Sequence, residues 1–546
     1  MNARRDEPRI VSLGALVFVA AAAAFAPALD GSFVQWDDVL YLRDNPWIRG
    51  LGRENLRWML TATRGGLWQP LTWLSWALDY RLWGPQPWGF HLTNVLLHAC
   101  GACVFFAIAL RFLGRPWAAA FAALFFAVHP LRVESVAWAS ERKDVLSGVF
   151  WLAAVWAWLA ERRKVSIGFF ALSLASKASG IMLPALLWIV DRARGLKRPA
   201  RVYVPHAALA VLAALPHLAA ARSEALLKPR GLAWSAAQTL YSLTFYPLKT
   251  AWPSGLLPYY APLPWFGTWP LALAGRAFFV VLFIAAVVWI ARRRFDVGWA
   301  AAAYAVCLAP VSGVIQQGVA ARAFDHFTYL PCLSFALLFG AAADRGKIAR
   351  VAAAVWLAAL GALSRRQCGV WRDSLTLWTT VAAREPSPFA QANAGAALLE
   401  AGRVEESYAL LREAARADPS QAVARRDLGL ASNDLGLTRA GQGRTDEARA
   451  LYRAAMREPA SRAVGAYNLG NLLLAGGDAR GAERLYREAL RLDPGLARAR
   501  VNLANTLARR VRLGEAAALY RAALRDEPGL AEARENLSTV ERLLRR

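Results

Sequence analysis

Apolar runs recur along the first two-thirds of the chain, each bounded by a short polar or basic stretch. They occupy residues 10–29, 92–111, 117–129, 145–160, 165–175, 181–190, 202–220, 277–291, 297–314, 327–342 and 348–363. The first is 20 residues long, enough to cross a hydrocarbon core of roughly 30 Å. It follows a basic start, MNARRDEPR, and reads as an uncleaved span rather than a secretory leader. Several later runs are shorter, which predicts tilted, kinked or re-entrant pieces. From about residue 391 the pattern changes to one rich in Ala, Arg, Glu and Leu without long apolar runs. The pattern therefore predicts an all-α chain: a multispanning membrane domain at 1–365, a connector at 366–386 and a soluble helical region at 387–546.

The helical region is periodic. LYREALRLDP at 485–494 returns as LYRAALRDEP at 519–528, 34 residues later. Gly470, Ala482, Ala489 and Pro494 stand 12, 7 and 5 residues apart, and the same frame fits Gly395, Ser407, Ala414, Pro419 and Ala504, Ala516, Ala523, Pro528. This is the tetratricopeptide (TPR) spacing, in which small residues let two helices of a hairpin approach and proline ends the second. A further copy is read at Gly429, Ala448, Ala455 and Pro459, with an insertion placed in its inter-helix turn around LGLTRAGQG. About four repeats and a capping helix at 531–546 result. Such arrays mostly accept peptides and proteins.

Charge adds an orientation. The formal net charge is +26, which raises nucleic acid as a partner. However, 58 of the 65 basic residues are arginines, spread along helices or placed in short loops, and no basic run or nucleic-acid signature occurs. No nucleic acid is expected. Basic groups lie at Arg4/Arg5/Arg9, Arg111/Arg115, 162–164, 192–201, 292–294 and 345–350. Placing all six in the cytoplasm turns the loops 30–90, 130–144 and 316–326 outward. The run 233–248 becomes re-entrant or interfacial, the span count is 11, and the repeats lie on the outer side. The five cysteines form no disulfide framework; Cys100 and Cys103 form a CxxC within an apolar helix and read as packing.

Candidate chemistry clusters in the outward loops. FVQWDDVLYLRD places Asp37 and Asp38 just beyond the first span, in a loop rich in Trp. A carboxylate there can be a helix cap or can accept a proton from a hydroxyl nucleophile. HPLRVESVAWASERKDVLSG gathers His129, Arg132, Glu134, Glu141, Arg142, Lys143 and Asp144. That density beside a bilayer is costly unless the groups are paired or wet, and reads either as a salt-bridged loop or as a phosphate site. Lys177 in SLASKASGIMLP either snorkels or meets an anion. His91 and His98 in FHLTNVLLH pack or act, and Arg322 is a further outer cation. Two adjacent carboxylates do not define a cation site, so dependence on a divalent metal is left open. No P-loop, GxGxxG, HExxH or GxSxG appears in a meaningful context.

WDD, FHLTNVLLH, HPLRVESVAWASERKDVLSGVF, SKASGIMLP, YPLKTAWPSGLLPYY and WRDSLTLW occur in that order. The order resembles the multispanning TPR membrane proteins of bacteria, which are similar to the animal transmembrane-and-TPR protein O-mannosyltransferases of the GT-C superfamily. The resemblance implies a GT-C-like membrane domain and transfer of a sugar, mannose or another hexose, from a polyprenyl-phosphate donor to a hydroxyl of an exported protein. Under it Asp37 or Asp38 is the catalytic base. His91, His129, Glu134, Arg142, Lys143, Lys177 and Arg322 bind substrate, with Arg142, Lys143 and Lys177 near the lipid phosphate, and the array binds the acceptor polypeptide. Arg132, where relatives carry histidine, and the segment ARAFDHF at 321–327 depart from the pattern. Two other functions fit parts of the chain. A membrane-anchored scaffold for envelope assembly would need the repeats but not the aspartates. A transporter would need ionisable groups deep within spans, and those here stand at span ends.

Overall fold

The computed structural model describes residues 3–223, 232–262, 269–313 and 321–546. The residues 316–320 of the expected outer loop, and parts of the stretch 220–275, fall outside them. All regular structure among the described residues is helical. The chain divides into two compact units, Met1–Val381 and Ala382–Arg546.

In the first unit, four helices are long and apolar enough to cross a membrane: Glu7–Asp30, Pro87–Leu113, Ala274–Arg293 and Lys347–Trp371. A fifth candidate is Pro116–Val128 joined to Pro130–Ala137 across a 53° bend. The sequence explains the boundaries. Pro87 and Pro116 open their helices at a position where no N–H is needed. Gly114 closes the first of them at φ 65°, a left-handed conformation that costs glycine little. Close packing depends on small residues: a Cβ at Gly340 would collide with the Ala118 carbonyl and Ala122, so the Cys332–Ala343 and Pro116–Val128 helices approach backbone to backbone.

The Pro87–Leu113 and Arg142–Leu159 helices start at one end of the unit and run to the basic end, where Arg111 donates to the Leu159 carbonyl at 2.9 Å. Between them the backbone breaks into the short turns Pro130–Arg132, Val133–Ala137 and Ala139–Glu141. Every residue from 129 to 148 is buried. The segment is a plug rather than a wet loop, and irregular backbone at such a place is tolerable because protein surrounds it.

The second unit is a series of helical hairpins: Pro388–Glu400 with Val404–Ala417, Ala422–Gly441 with Thr445–Ala455, Pro459–Ala475 with Ala479–Leu492, and Ala497–Arg509 with Leu513–Asp526. Ala531–Leu544 closes it. One assignment from the sequence is corrected. In the second hairpin the close-approach glycine is Gly436, not Gly429. A Cβ at Gly436 would meet the Tyr452 ring at 2.6 Å, just as one at Gly470 would meet Tyr486 at 2.7 Å. Gly436, Gly470 and Ala504 are then 34 residues apart. The extra seven residues do not loop out between the helices; they extend the start of the first helix, which is 20 residues long. LGL occurs twice, at 428–430 and 435–437, and two positions one heptad apart are nearly equivalent on a helix. Neighbouring hairpins are joined by asparagine pairs: Asn468 donates to Asn433 at 2.8 Å, Asn502 to Asn471 at 2.8 Å and Asn536 to Asn505 at 2.9 Å.

Candidate functional site

At the end of the first unit opposite the basic loops, five charged side chains form an alternating row. Asp37 Oδ2 lies 3.3 Å from Lys143 Nζ, and Lys143 lies 2.8 Å from Glu141 Oε1. Glu141 Oε2 is 3.1 Å from Lys177 Nζ, which is 2.6 Å from Asp144 Oδ1. The row joins three segments far apart in sequence. Asp37 comes from the turn after the first span, Glu141, Lys143 and Asp144 from the buried plug, and Lys177 from the end of the Arg163–Ser176 helix. Glu141 and Lys143 side chains are 3% and 4% exposed, whereas Asp37 keeps 30% of its surface open. Asp37 is therefore the most open member of the row, while Lys177 and Asp144 face a small cavity.

The electrostatics follow from burial and order. Burial raises the Glu141 carboxyl, but Lys143 and Lys177 outweigh it and hold the group well below the usual range. Burial works against the Lys177 ammonium, yet Asp144 and Glu141 keep it charged and push its pKa up. Burial raises Asp37 above its ordinary 3.8, opposed by Lys143. The Lys143 ammonium also lies 5.2 Å from the Tyr41 ring centre and 5.6 Å from that of Trp138, so aromatic faces supplement its carboxylate partners.

Asp38 is placed differently from Asp37. It is fully buried, and its two oxygens accept from the Val34 and Ser140 N–H groups at 3.0 and 2.8 Å. Burial pushes its carboxyl up to about 7 despite those donors. It braces the turn that presents Asp37 against the plug. Glu134 accepts from the His326 backbone N–H at 2.9 Å, and its other oxygen lies 2.9 Å from His326 Nδ1. Burial lowers the His326 imidazole to about 3 and keeps it neutral.

The remaining expected site residues do not join the row. Arg142 is fully buried and spends its donors on Asp79, Asn94, Ser75 at 2.7 Å and the Phe90 carbonyl at 2.8 Å. His129 caps the next turn by accepting from Leu131 N–H and donates to the Thr250 carbonyl at 3.0 Å. His91 is buried against Gly31. Arg322 lies over the rings of Tyr241 and Tyr260. Arg132 donates to the Thr328 carbonyl at 2.9 Å and so anchors the segment carrying His326.

Glu141 and Asp144 stand in the charged stretch the sequence marks, but His326, which joins them, was not singled out. Their ligand atoms lie within 4.8 Å of one another. Lys177, however, already bridges Glu141 and Asp144, so an ammonium holds the position a cation would take. The signal that could have found His326 is a polar Asp-His pair enclosed by Phe324 and Phe327 at the mouth of an apolar run.

One cavity adjoins the row, and a second meets the first farther from it. A small one of about 40 Å³ is lined by Asp144, Ser147, Lys177, Ser179 and His326 among others. A larger groove of about 340 Å³ is walled by Phe105, Trp151, Ile189, Trp299, Leu333 and further apolar side chains. Cys307 and Leu330 line both. A small chamber that carries Asp144, Lys177 and His326 on one side and Val311, Phe327 and Pro331 on the other thus abuts a larger apolar groove.

No family model matches the chain. Parts of it are similar to proteins named as protein O-mannosyl-transferases. It is 35% identical over 120 residues to Tmtc2 of Drosophila melanogaster, covering 22% of this chain and 13% of that protein. It is 31% identical over 200 residues to TMTC1 of Mus musculus, covering 34% of this chain and 21% of that protein. The matches span well under two-thirds of those relatives' length. Among solved structures, the chain is similar to YrrB, described as a TPR protein with an unusual peptide-binding site, with 21% identity over 31% of this chain and 84% of that one and a TM-score of 0.26. The P58(IPK) TPR domain aligns with 13% identity over 80% of this chain and 96% of that chain, with a TM-score of 0.24.

Proposed function

We propose that this protein is a GT-C-type membrane glycosyltransferase that moves a sugar from a polyprenyl phosphate to a hydroxyl of a polypeptide held by the repeat array. The observation that carries the reading is the meeting of Asp37 with Lys143 at 3.3 Å in a row that continues through Glu141 to Lys177. A part-open carboxylate stands beside the buried Lys143 ammonium, and the row continues to a half-buried Lys177 that lines a small chamber abutting an apolar groove. Those are the parts such a transfer needs.

The chemistry balances. The acceptor hydroxyl oxygen attacks the anomeric carbon while Asp37 takes its proton. The bond from the anomeric carbon to the phosphate oxygen breaks, and both electrons stay on that oxygen. A phosphodiester with one negative charge becomes a phosphate monoester, which carries more. Lys143 and Lys177 therefore bind the leaving group better than the donor, which is how a binding site lowers a barrier. Glu141 keeps both ammonium groups charged while the site is empty, and incoming phosphate competes with it for them. The small chamber holds only on the order of three waters, so the sugar enters by separating some of these pairs. The groove suits the polyprenyl chain, since pockets for small molecules begin at about 300 Å³. The partial likeness to named O-mannosyl-transferases favours mannose as the sugar. A bacterial inner-membrane location, with the row and the array on the periplasmic side, completes the reading.

The test is reconstitution of the full-length protein in lipid nanodiscs with a polyprenyl-phosphate hexose and an unfolded Ser/Thr-rich acceptor. Mass spectrometry reads the acceptor. Gain of one hexose on Ser or Thr is expected. No gain with either mannose or glucose donors, while exported proteins keep their glycans in cells lacking the gene, would replace the enzyme with a membrane-anchored scaffold.

A further inference from the structure

The WRDSLTLW stretch at 371–378 has no part in the reaction as described, yet it holds the turn that carries Asp37. Ser32 N–H donates to the Arg372 carbonyl at 2.7 Å. Gln35 is gripped at both main-chain groups: its N–H donates to Ser374 Oγ at 2.7 Å, and its carbonyl accepts from Trp378 Nε1 at 3.1 Å. Trp36 packs between Trp378 and Trp138, with ring centres 4.9 and 5.0 Å away, and Trp371 stacks on Trp138 at 5.2 Å. Trp371 and Trp378 are almost fully buried. Bilayer anchoring, the ordinary role of tryptophans near a membrane surface, requires neither burial nor a hydrogen bond to a loop carbonyl.

We propose that Ser374 and Trp378 are positioning residues for Asp37, fixing its carboxylate through the main chain of Gln35. The inference rests on the glycosyltransferase reading and extends it. A general base must be held within about 0.5 Å of its working place, and one ion pair from a half-open aspartate to Lys143 does not fix direction. Asp38 secures the turn from the plug side through Val34 and Ser140. The connector secures it from the other side, 339 residues away in the chain. The Ser374–Arg384 helix that supplies these groups runs on past Val381 into the repeat unit.

The test uses full-length protein in nanodiscs and three variants: Ser374→Ala, Ser374→Thr and Trp378→Phe, which keeps a ring but removes the donor. Amide hydrogen exchange is read over residues 32–38, and kcat and KM are read for lipid-linked hexose. Ser374→Ala and Trp378→Phe are expected to speed exchange there and to lower kcat by about three- to tenfold, the worth of one hydrogen bond, with KM for the donor unchanged. Ser374→Thr, which keeps a hydroxyl, restores both. Unchanged exchange overturns the clamp. Faster exchange with unaltered kcat, or a change in KM alone, overturns the positioning role. If wild-type protein transfers no sugar, the enzyme reading fails and the positioning role falls with it, whereas exchange still reports whether the connector holds the turn.

Discussion

The two units use the same ionic groups to opposite ends. In the repeat unit, Arg403–Glu406, Arg444–Glu447 and Arg512–Glu515 are exposed pairs three residues apart at the start of the second helix of a hairpin. Each is local, wet and replaceable; at the corresponding point in the third hairpin Asp478 caps Gly481 instead. In the charge row of the first unit most of the groups are buried, and the row joins residues distant in sequence, with Asp37 and Lys143 separated by 106 residues. An exposed pair contributes little because water and salt screen it. A buried one is strongly coupled, because removing either partner strands a charge where water cannot reach. A charge row that costs so much to bury is poor evidence for a stabilising device and good evidence for a site.

That contrast can be broken in several places. Lys143→Met leaves Asp37 unpaired and Glu141 with Lys177 alone; it is expected to cost ~3–5 kcal/mol, read as a large fall in the unfolding temperature of the nanodisc-embedded protein. A fall no greater than that of a surface substitution would show that the row is solvated. Gly470→Ala pushes a methyl against the Tyr486 ring and should cost about 1–3 kcal/mol, seen as earlier loss of helical circular dichroism on heating. An unshifted melt would contradict the close-approach role shared by Gly436 and Gly470. Smaller still is a pH effect. Protonated Asp37 cannot take the acceptor's proton, so transfer falls as pH drops through its pKa, and burial sets that limb above the ordinary 3.8. A rate independent of pH down to the usual carboxylate range would remove Asp37 as the base. Least of all, Arg403→Ala should leave the unfolding temperature unchanged; a clear drop would mean that the array's surface pairs bear more weight than their exposure implies.

Legibility in the sequence follows the same division. Apolar runs and a repeat of 34 residues are local signals, so the helical class, the membrane-like first part and the hairpin array could all be read from the chain. The misplaced glycine shows the limit, since LGL at 428–430 and 435–437 differ only in what they face. Of the candidate site, Asp37, Lys143 and Lys177 were legible because charged residues beside apolar runs are rare. Their pairing was not, nor was the division of labour between Asp37 and Asp38: adjacent residues in a turn point apart, and only the fold decides which is buried and which stays partly open. Arg142 shows another limit. It resembles a phosphate ligand in composition, but Asp79, 63 residues away, claims it. His326 was overlooked because its partner Glu134 lies 192 residues distant.

The central claim is that Asp37 takes the acceptor's proton beside two lysines that receive the departing phosphate. The most direct measurement is sugar transfer by the purified full-length Asp37→Asn variant, compared with wild type in the same nanodiscs and with helix content verified. Asparagine keeps the size and loses the base. The account predicts a loss of about 10²–10⁴-fold in kcat with donor affinity retained through Lys143 and Lys177. Transfer at the wild-type rate would contradict it.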